Sequence, residues 1–136
     1  MNVFTYGSLM FAPVWRAVVR GEYESVDATV HGFERLCVRG AAHPALIIAP
    51  RALPMQGRLY LNVVADDLAR LDHFETENYA RVPIAANVDG SAVVAQTYVA
   101  LHLDALSENH WDVAQFEAQG LPLFLKTYVA VHRPLD

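Results

Sequence analysis

The chain has 136 residues, of which 54% are hydrophobic and 18% are charged, and its formal net charge is −5 at pH 7. This length suits a single domain spanning residues 1–136, and the apolar content is high enough to exclude an intrinsically disordered chain. Lysine and arginine are scattered in an acidic sequence, so the positive surface that nucleic-acid binding needs is not expected.

The sequence points to a cytoplasmic protein. Cys37 is its one cysteine, so no intramolecular disulfide can form and the reducing cytoplasm is the natural setting. Residues 1–5 lack the basic start and apolar stretch of a signal peptide. No apolar run approaches the roughly 20 residues that a spanning helix needs, so we expect no membrane partner.

The N-terminal half is predicted to be mostly strands. Apolar residues recur at helical spacing over residues 10–19, and Pro13 is tolerated near a helix start. Gly7 and Ser8 indicate a turn between the first strand and this helix. The strands predicted in this half, from alternation and short apolar runs, are residues 2–6, 27–38, 45–49 and 56–63.

A helix is predicted over residues 66–74. Leu68 and Leu71 fall along one side of it, and Phe74 lies near that side, which indicates a face packed on the core. Asp66 or Asp67 is suited to cap its first turn.

The rest of the chain contains a predicted hairpin and a helical tail. Two β-rich runs, residues 79–88 and 91–101, flank Asp89-Gly90, and glycine accepts the positive φ that tight hairpin turns need. Residues 111–132 are interpreted as two short helices broken near Gly120. Because strands and helices do not alternate throughout, we predict an α+β domain whose sheet is mixed or closed into a small barrel.

The segment Tyr6-Gly7-Ser8-Leu9 is the first candidate site. A strand end, a glycine and a helix start meet there, which exposes backbone N–H groups suited to a carboxylate or an oxyanion. Gly7 lets a ligand approach the backbone closely. A strand-to-helix turn without a ligand has the same pattern and is common.

Glu75 is the second candidate. It lies about one helical turn after Leu71 and Asp72, close to the apolar side of the predicted helix. A carboxyl group partly buried there would have a raised pKa, which suits general acid–base catalysis near neutral pH. The alternative is a solvated acidic helix end, since Asp72, Glu75 and Glu77 lie close together.

Other chemistry has less support. The six histidines show no metal-ligand spacing, so no metal site is predicted. Ser8 lacks the second glycine of a nucleophile elbow and an identifiable partner histidine, which leaves a serine hydrolase unsupported. Cys37 lies in a β-like run and is interpreted as a small buried hydrophobe. The aromatic residues assigned to the core are Trp15, Trp111, Phe116, Phe124 and Tyr128.

Three segments together resemble a known family. Residues 3–10 resemble the N-terminal signature of the γ-glutamylcyclotransferase superfamily, in particular its avirulence-induced-gene-like branch, which includes γ-glutamylamine cyclotransferases. Residues 56–60 resemble the family's x-G-x-L-Y strand, and residues 71–81 resemble its L-D-x-F-E-G-x-x-Y-x-R segment. Residues 32–39 and 44–46 look like its central strands, so the resemblance covers about residues 3–100.

The resemblance implies a mixed β-sheet closed into a small barrel with flanking helices. It also implies an enzyme that releases 5-oxoproline and an amine from a small γ-glutamyl compound, with Glu75 as general acid/base and no cofactor. The residues it assigns to substrate binding are Tyr6, Gly7, Ser8, Leu9 and Tyr79.

One position departs from the family pattern. Thr76 occupies the place of the glycine that usually follows the glutamate, and glycine eases a helix end. Thr76 therefore leaves open a non-catalytic binding module that keeps the fold and pocket. The physiological substrate and the oligomeric state have no motif in the sequence.

Overall fold

The computed structural model describes residues 1–132 of the chain. Two helices precede the C-terminal part, α1 (Ala12–Val18) and α2 (Ala65–Glu75), and a 3-10 turn (Ser8–Met10) leads into α1. The strands are β1 (Val3–Thr5), β2 (Ser25–Val30), β3 (Phe33–Val38), β4 (Pro44–Ile48), β5 (Met55–Tyr60), β6 (Tyr79–Val88), β7 (Ser91–Ala100) and β8 (Leu106–His110).

Five of the strands close into a barrel in the order β1-β5-β2-β6-β7. The neighbouring strands run antiparallel, except that β1 runs parallel to β7, with Val3 opposite Gln96. The mixed sheet closed into a small barrel, with helices beside it, confirms the predicted fold class. A second sheet of three strands, in the order β4-β3-β8, lies outside the barrel.

The predicted hairpin is confirmed and forms one wall of the barrel. Strands β6 and β7 pair over their full lengths, from Tyr79 opposite Ala100 to Val88 opposite Ser91. The turn residues have positive φ angles, 50° at Asp89 and 85° at Gly90, as hairpin turns that follow the twist of the strands require.

The predicted strand over residues 27–38 is two strands that belong to different sheets. Strand β2 pairs inside the barrel, whereas β3 pairs with β4 and β8. Gly32 separates them with a φ of 83°, a conformation that is easy for glycine. This turn carries the chain out of the barrel, which alternation of residue types does not reveal.

A helical layer covers one side of the barrel. Leu68, Leu71 and Phe74 of α2 are buried, as their spacing predicts. Trp15 of α1 stacks on Tyr60 of β5, with ring centroids 3.6 Å apart. Four of the five aromatic residues assigned to the core are buried there, namely Trp15, Trp111, Phe116 and Phe124, while Tyr128 is only partly buried.

The predicted cap of α2 is wrong. The helix follows Val64, and no side chain caps it. Asp67 instead lies inside, 1% exposed, and accepts hydrogen bonds of 2.9 Å from the N–H groups of both Arg20 and Gly21. Its carboxylate therefore ties α2 to the segment after α1, a partnership between distant parts of the chain.

The predicted break in the tail is also wrong. Residues 113–132 form one continuous helical segment, and Gly120 keeps a right-handed helical backbone with φ −84° and ψ −36°. Two wider π-helical turns interrupt the α-helical hydrogen bonding, which accommodates Pro122 without ending the segment. Its parts are α3 (Val113–Gln115), a π-helical turn (Phe116–Gly120), α4 (Leu121–Phe124), a second π-helical turn (Leu125–Val129) and α5 (Ala130–His132).

Two smaller points complete the fold. Strand β8 was not predicted, because the mostly exposed polar segment Ser107–His110 does not alternate with apolar residues. Cys37 is half-buried rather than fully buried, with its Sγ 3.7 Å from the carbonyl oxygen of His110. No helix within residues 1–132 is long and apolar enough to cross a membrane.

Candidate active site

The turn after β1 packs tightly against the second sheet. A Cβ at Gly7 would lie 2.7 Å from Cγ and 2.8 Å from Cδ of Pro44, so only glycine fits without displacement. The Met10 N–H donates a 3.0 Å hydrogen bond to the Gly7 carbonyl, which closes the turn. The glycine of the N-terminal motif is thus needed for close packing.

This turn and the C-terminal end of α2 face a common pocket with about 420 Å³ of empty space, part of it open to solvent. Aromatic side chains form much of its wall, among them Phe4, Phe74, Tyr98, Phe124 and Tyr128. All six site residues singled out in the sequence line this one pocket: Tyr6, Gly7, Ser8, Leu9, Glu75 and Tyr79.

Glu75 contributes a carboxyl group to the pocket. Burial and, after it, the nearby Asp72 carboxylate raise the pKa of its carboxyl group to about 8. No hydrogen bond joins the Glu75 carboxyl to another residue within the described part of the chain. Glu75 therefore lies in the pocket, not on a solvated helix end, and can hold or release a proton near neutral pH.

Asp72 is held one helical turn before Glu75. The Tyr98 hydroxyl donates a 2.6 Å hydrogen bond to its Oδ1 atom, and Arg81 Nε donates a second one of 3.0 Å. The Tyr6 hydroxyl in turn donates a 2.7 Å bond to the Tyr98 carbonyl. The contacts of Asp72 fix the end of α2 against β6 and β7, and Tyr6 joins β7 to the turn after β1.

The tyrosine hydroxyls of the pocket remain protonated. Burial raises the pKa of Tyr6, Tyr79 and Tyr98 well above the usual value, and it raises the pKa of Tyr128 to about 12. Tyr79 donates a 3.2 Å hydrogen bond to the Pro44 carbonyl. Because these hydroxyl protons are already donated within the protein, the wall offers phenol oxygens as acceptors and no phenolate base.

His43 is a pocket residue that the sequence reasoning missed. Its ring centroid lies 4.8 Å from that of Tyr128 and 5.6 Å from that of Phe124. Burial and, after it, the nearby His132 lower the pKa of His43 to about 4, so the imidazole is neutral at pH 7. Its one local signal is its place directly before the Pro44-Ala45-Leu46 strand.

Ser8 does not have the partner that a nucleophilic serine needs. Ser8 and His43 line the same pocket, but no hydrogen bond joins them in the structure of residues 1–132. A serine hydrolase depends on such a base within hydrogen-bond reach. The arrangement therefore does not support Ser8 as a nucleophile.

Thr76 has a backbone conformation that is nearly restricted to glycine. Its φ is 67° and its ψ is −177°, in a region where a side chain is strained. Its Oγ1 accepts hydrogen bonds from the backbone N and Nδ2 of Asn78, at 3.4 and 3.2 Å. Glycine suits this position for that reason, yet Glu75 lies in the pocket with threonine present.

The described residues contain no group of three or more histidine, cysteine, aspartate or glutamate side chains placed to hold a metal ion. The chemistry available in the pocket is that of one carboxyl group, a neutral imidazole, phenol hydroxyls and the backbone amides of the turn.

Comparison with protein families gives a match over most of the chain. The family model described as "Gamma-glutamyl cyclotransferase, AIG2-like" matches residues 3–113. AIG2-like protein D of Arabidopsis thaliana is 30% identical over 129 residues, which cover 92% of this chain and 84% of that protein. AIG2-like protein A of the same plant is 27% identical, covering 93% of this chain and 78% of that protein.

Solved structures share the fold. A solution structure of an Arabidopsis thaliana protein superimposes with a TM-score of 0.68 at 25% identity, covering 93% of this chain and 87% of that one. A structure of a gamma-glutamyl cyclotransferase superimposes with a TM-score of 0.64 at 14% identity, covering 100% of this chain and 89% of that one. At this low identity the second likeness concerns the fold alone.

Proposed function

The chain belongs to the AIG2-like gamma-glutamyl cyclotransferase family, whose model spans most of its length, and on this premise we propose that it is a γ-glutamyl cyclotransferase. The resemblance drawn from its motifs is thereby confirmed, while the reaction itself is our proposal. The enzyme would convert a γ-glutamyl amine or peptide into 5-oxoproline and a free amine in the cytoplasm. The observation that carries the proposal is a glutamate with a pKa of about 8 in the same pocket as the Gly7-Ser8 turn.

In this proposal the turn binds the glutamyl half of the substrate. Backbone N–H groups at Gly7 and Ser8 bind either the substrate carboxylate or the oxyanion that develops on the γ-carbonyl oxygen. The narrow pocket holds the glutamyl chain folded, with its α-nitrogen close to the γ-carbon. Such positioning of the two reacting atoms supplies a large part of the acceleration of an intramolecular reaction.

Glu75 carries the proton through the reaction. The α-ammonium group of the bound substrate favours the ionised form of Glu75, which offsets the effect of burial on its pKa. Glu75 then accepts a proton from the α-nitrogen, whose lone pair attacks the γ-carbon and forms the new C–N bond. When the original amide C–N bond breaks, Glu75 returns this proton to the leaving nitrogen. The second proton that the attacking nitrogen loses as it becomes the lactam nitrogen passes through the same carboxyl group, so the amine leaves as an ammonium ion.

The aromatic wall supports cyclisation over hydrolysis. Phe4 and Phe74 are buried, and together with the tyrosines they restrict the water that reaches the γ-carbonyl. The α-amine, tethered in the same molecule, then has the advantage over water as the nucleophile.

The test measures 5-oxoproline by mass spectrometry with a panel of γ-glutamyl amines and peptides. The wild type is compared with Glu75→Gln and with Glu24→Gln, a matched change at an exposed glutamate. We expect product from the wild type and Glu24→Gln, and a large loss with Glu75→Gln. Equal product from wild type and Glu75→Gln would contradict the role of Glu75.

Two further measurements separate the alternatives. Saturable thermal stabilisation by γ-glutamyl compounds and 5-oxoproline, without turnover, would identify a binding protein that has kept the pocket. Covalent labelling of Ser8 by a fluorophosphonate would identify a serine hydrolase instead.

A further inference from the structure

Arg35 of β3 reaches from the second sheet to the turn after β1. Its Nη1 atom donates a 2.9 Å hydrogen bond to the carbonyl oxygen of Tyr6 and a 3.3 Å bond to that of Gln56 in β5. Its guanidinium carbon lies 5.8 Å from the centroid of the Trp111 ring, within the range of a cation–π contact. The guanidinium group therefore has a defined place next to the motif turn.

This guanidinium group has no carboxylate partner. Burial lowers the pKa of Arg35, but an arginine stays charged at neutral pH. No carboxylate within residues 1–132 forms an ion pair with it, and the carboxylate of the neighbouring Glu34 lies 3.7 Å from His110 instead. A partly buried charge without a counter-charge costs free energy. A neutral amide would link the same carbonyl groups at a lower cost, so the charge itself calls for an explanation.

The Tyr6 carbonyl and the Gly7 N–H belong to one peptide group. In a planar trans peptide they point in opposite directions, so the bond from Arg35 leaves the N–H side open. No acceptor within the described residues takes the Gly7 N–H. A charged donor on the carbonyl oxygen polarises the peptide group, and the N–H becomes a stronger donor in its turn.

Gly7 lines the Glu75 pocket, whereas Arg35 does not. A substrate carboxylate is already hydrogen-bonded to water before it binds. The charge on the γ-carbonyl oxygen, in contrast, appears only in the transition state, inside the pocket, where a preorganised donor has its largest effect. We propose that Arg35 is a positioning residue, which holds the Tyr6–Gly7 peptide and makes the Gly7 N–H a stronger donor to this oxyanion.

This inference rests on the proposed cyclotransferase function and adds a residue that acts without touching the substrate. If the donor serves the oxyanion, loss of the positive charge lowers kcat and has little effect on KM. A side chain that only ties β3 to the barrel would show no such separation, and its charge would not matter.

The kinetic experiment compares Arg35→Gln with Arg35→Lys. Glutamine can donate a hydrogen bond but is uncharged. Lysine keeps the charge, and its ammonium group has three N–H donors, enough for the two bonds that the single Nη1 atom makes. We expect kcat to fall about 10- to 100-fold in Arg35→Gln, less than for the loss of a whole oxyanion donor because the Gly7 N–H remains. Arg35→Lys should retain most of the wild-type kcat.

Arg51→Gln is the matched control, because it removes the same charge at an exposed arginine and should leave kcat as in the wild type. Urea unfolding of each variant shows whether it is folded. If Arg35→Gln does not fold, Arg35→Lys decides, since a large loss of kcat in the folded lysine variant would contradict the role of the charge.

Nuclear magnetic resonance observes the same peptide group without turnover. The chain contains one Tyr-Gly pair, so labelling with [1-13C]tyrosine and [15N]glycine isolates the resonances of the Tyr6–Gly7 peptide. Polarisation by a charged donor moves the carbonyl carbon resonance downfield. The resonance should therefore move upfield in Arg35→Gln and stay near its wild-type position in Arg35→Lys.

The outcomes separate the positioning role from the function. Absence of 5-oxoproline from the wild type with every γ-glutamyl compound would overturn the proposed function and the role of Arg35 with it. Turnover with an unchanged kcat in Arg35→Gln, an equal loss in both variants, or an unmoved carbonyl resonance would overturn the role of Arg35 and leave the cyclotransferase in place.

Discussion

The Tyr98 hydroxyl donates a 2.6 Å hydrogen bond to Oδ1 of Asp72, which links barrel strand β7 to helix α2 beside the proposed acid/base. Asp72 is, after burial, the second cause of the raised pKa of Glu75. Asp72 does not line the pocket, yet its carboxylate helps to set the pKa of Glu75, which does.

Replacing Asp72 by asparagine should lower the pKa of Glu75 from about 8, because the repulsion between the two carboxylates is removed while the burial remains. The limb of the pH profile of kcat/KM that reports Glu75 should move to lower pH. Tyr98→Phe is the matched control, since it removes the hydrogen bond and keeps the Asp72 side chain. A limb that stays in place or moves to higher pH in Asp72→Asn would contradict the coupling.

Glu75→Gln should lower kcat/KM by about 100- to 10,000-fold, the usual contribution of a general acid–base group. It should also change the stability. The folded-state pKa of about 8 lies above the ordinary 4.5, so the folded protein keeps a proton that the unfolded chain releases between these pH values. The free energy of unfolding of the wild type therefore falls as the pH rises from 4.5 to 8.

The glutamine variant lacks that fall and should be more stable than the wild type at pH 8, by on the order of 2 kcal/mol after allowance for partial solvent exposure. Urea unfolding at pH 5 and pH 8 measures the difference. A parallel decline of both proteins with pH would contradict the raised pKa.

His43 should make the protein sensitive to acid. Its folded-state pKa of about 4 lies below the ordinary 6.5, so the unfolded chain binds a proton that the folded protein does not. Stability should therefore be lost as the pH falls from 6.5 through 4. His43→Phe keeps an aromatic ring and should reduce this loss by about 2 kcal/mol.

His31→Phe is the matched control for that experiment, because His31 is exposed. Thermal unfolding followed from pH 7 to pH 4 compares the three proteins. Equal acid sensitivity in wild type and His43→Phe would show that other groups account for it.

Thr76→Gly should stabilise the protein by about 1 kcal/mol, since relief of a strained backbone exceeds the added flexibility of the unfolded chain. The reason is the φ of 67° at this position. Thr76→Ala keeps a Cβ and the strain and loses the hydroxyl oxygen that Asn78 contacts, so it should not be stabilising. Urea denaturation of both variants measures the change in the free energy of unfolding. A Thr76→Gly variant less stable than the wild type would contradict the proposed backbone strain at this position.

Gly7→Ala should destabilise the protein by about 1–3 kcal/mol through overpacking. The added Cβ would lie 2.7 and 2.8 Å from ring atoms of Pro44. Pro44→Ala removes those ring atoms, so the double variant should lose less stability than the sum of the two single changes. Strict additivity would mean that this contact is not the cause.

Features that depend on neighbours in the chain were predictable. The Asp89-Gly90 hairpin, the buried side of α2 and the turn at Gly7 all follow from backbone preferences and spacing over a few residues. The barrel fold and the six pocket residues were predictable from the family motifs, because each motif contains several of the site residues within one short segment.

Features that depend on contacts between distant parts of the chain could not be predicted from the sequence. The position of Asp67 at the start of α2 suggests a cap, but its hydrogen-bond partners, Arg20 and Gly21, lie in another segment. Strand β8 has no alternation of its own and exists through pairing with β3.

The sequence by itself determined the family, the turn at Gly7 and the choice of Glu75 as the candidate acid/base. Each of these depends on the order of residues within one short segment. The tertiary structure decided that Glu75 lies in a pocket instead of in solvent and that His43 lines the same pocket. The physical reason is that desolvation, and with it the pKa of Glu75, depends on atoms from strands and helices far apart in the chain.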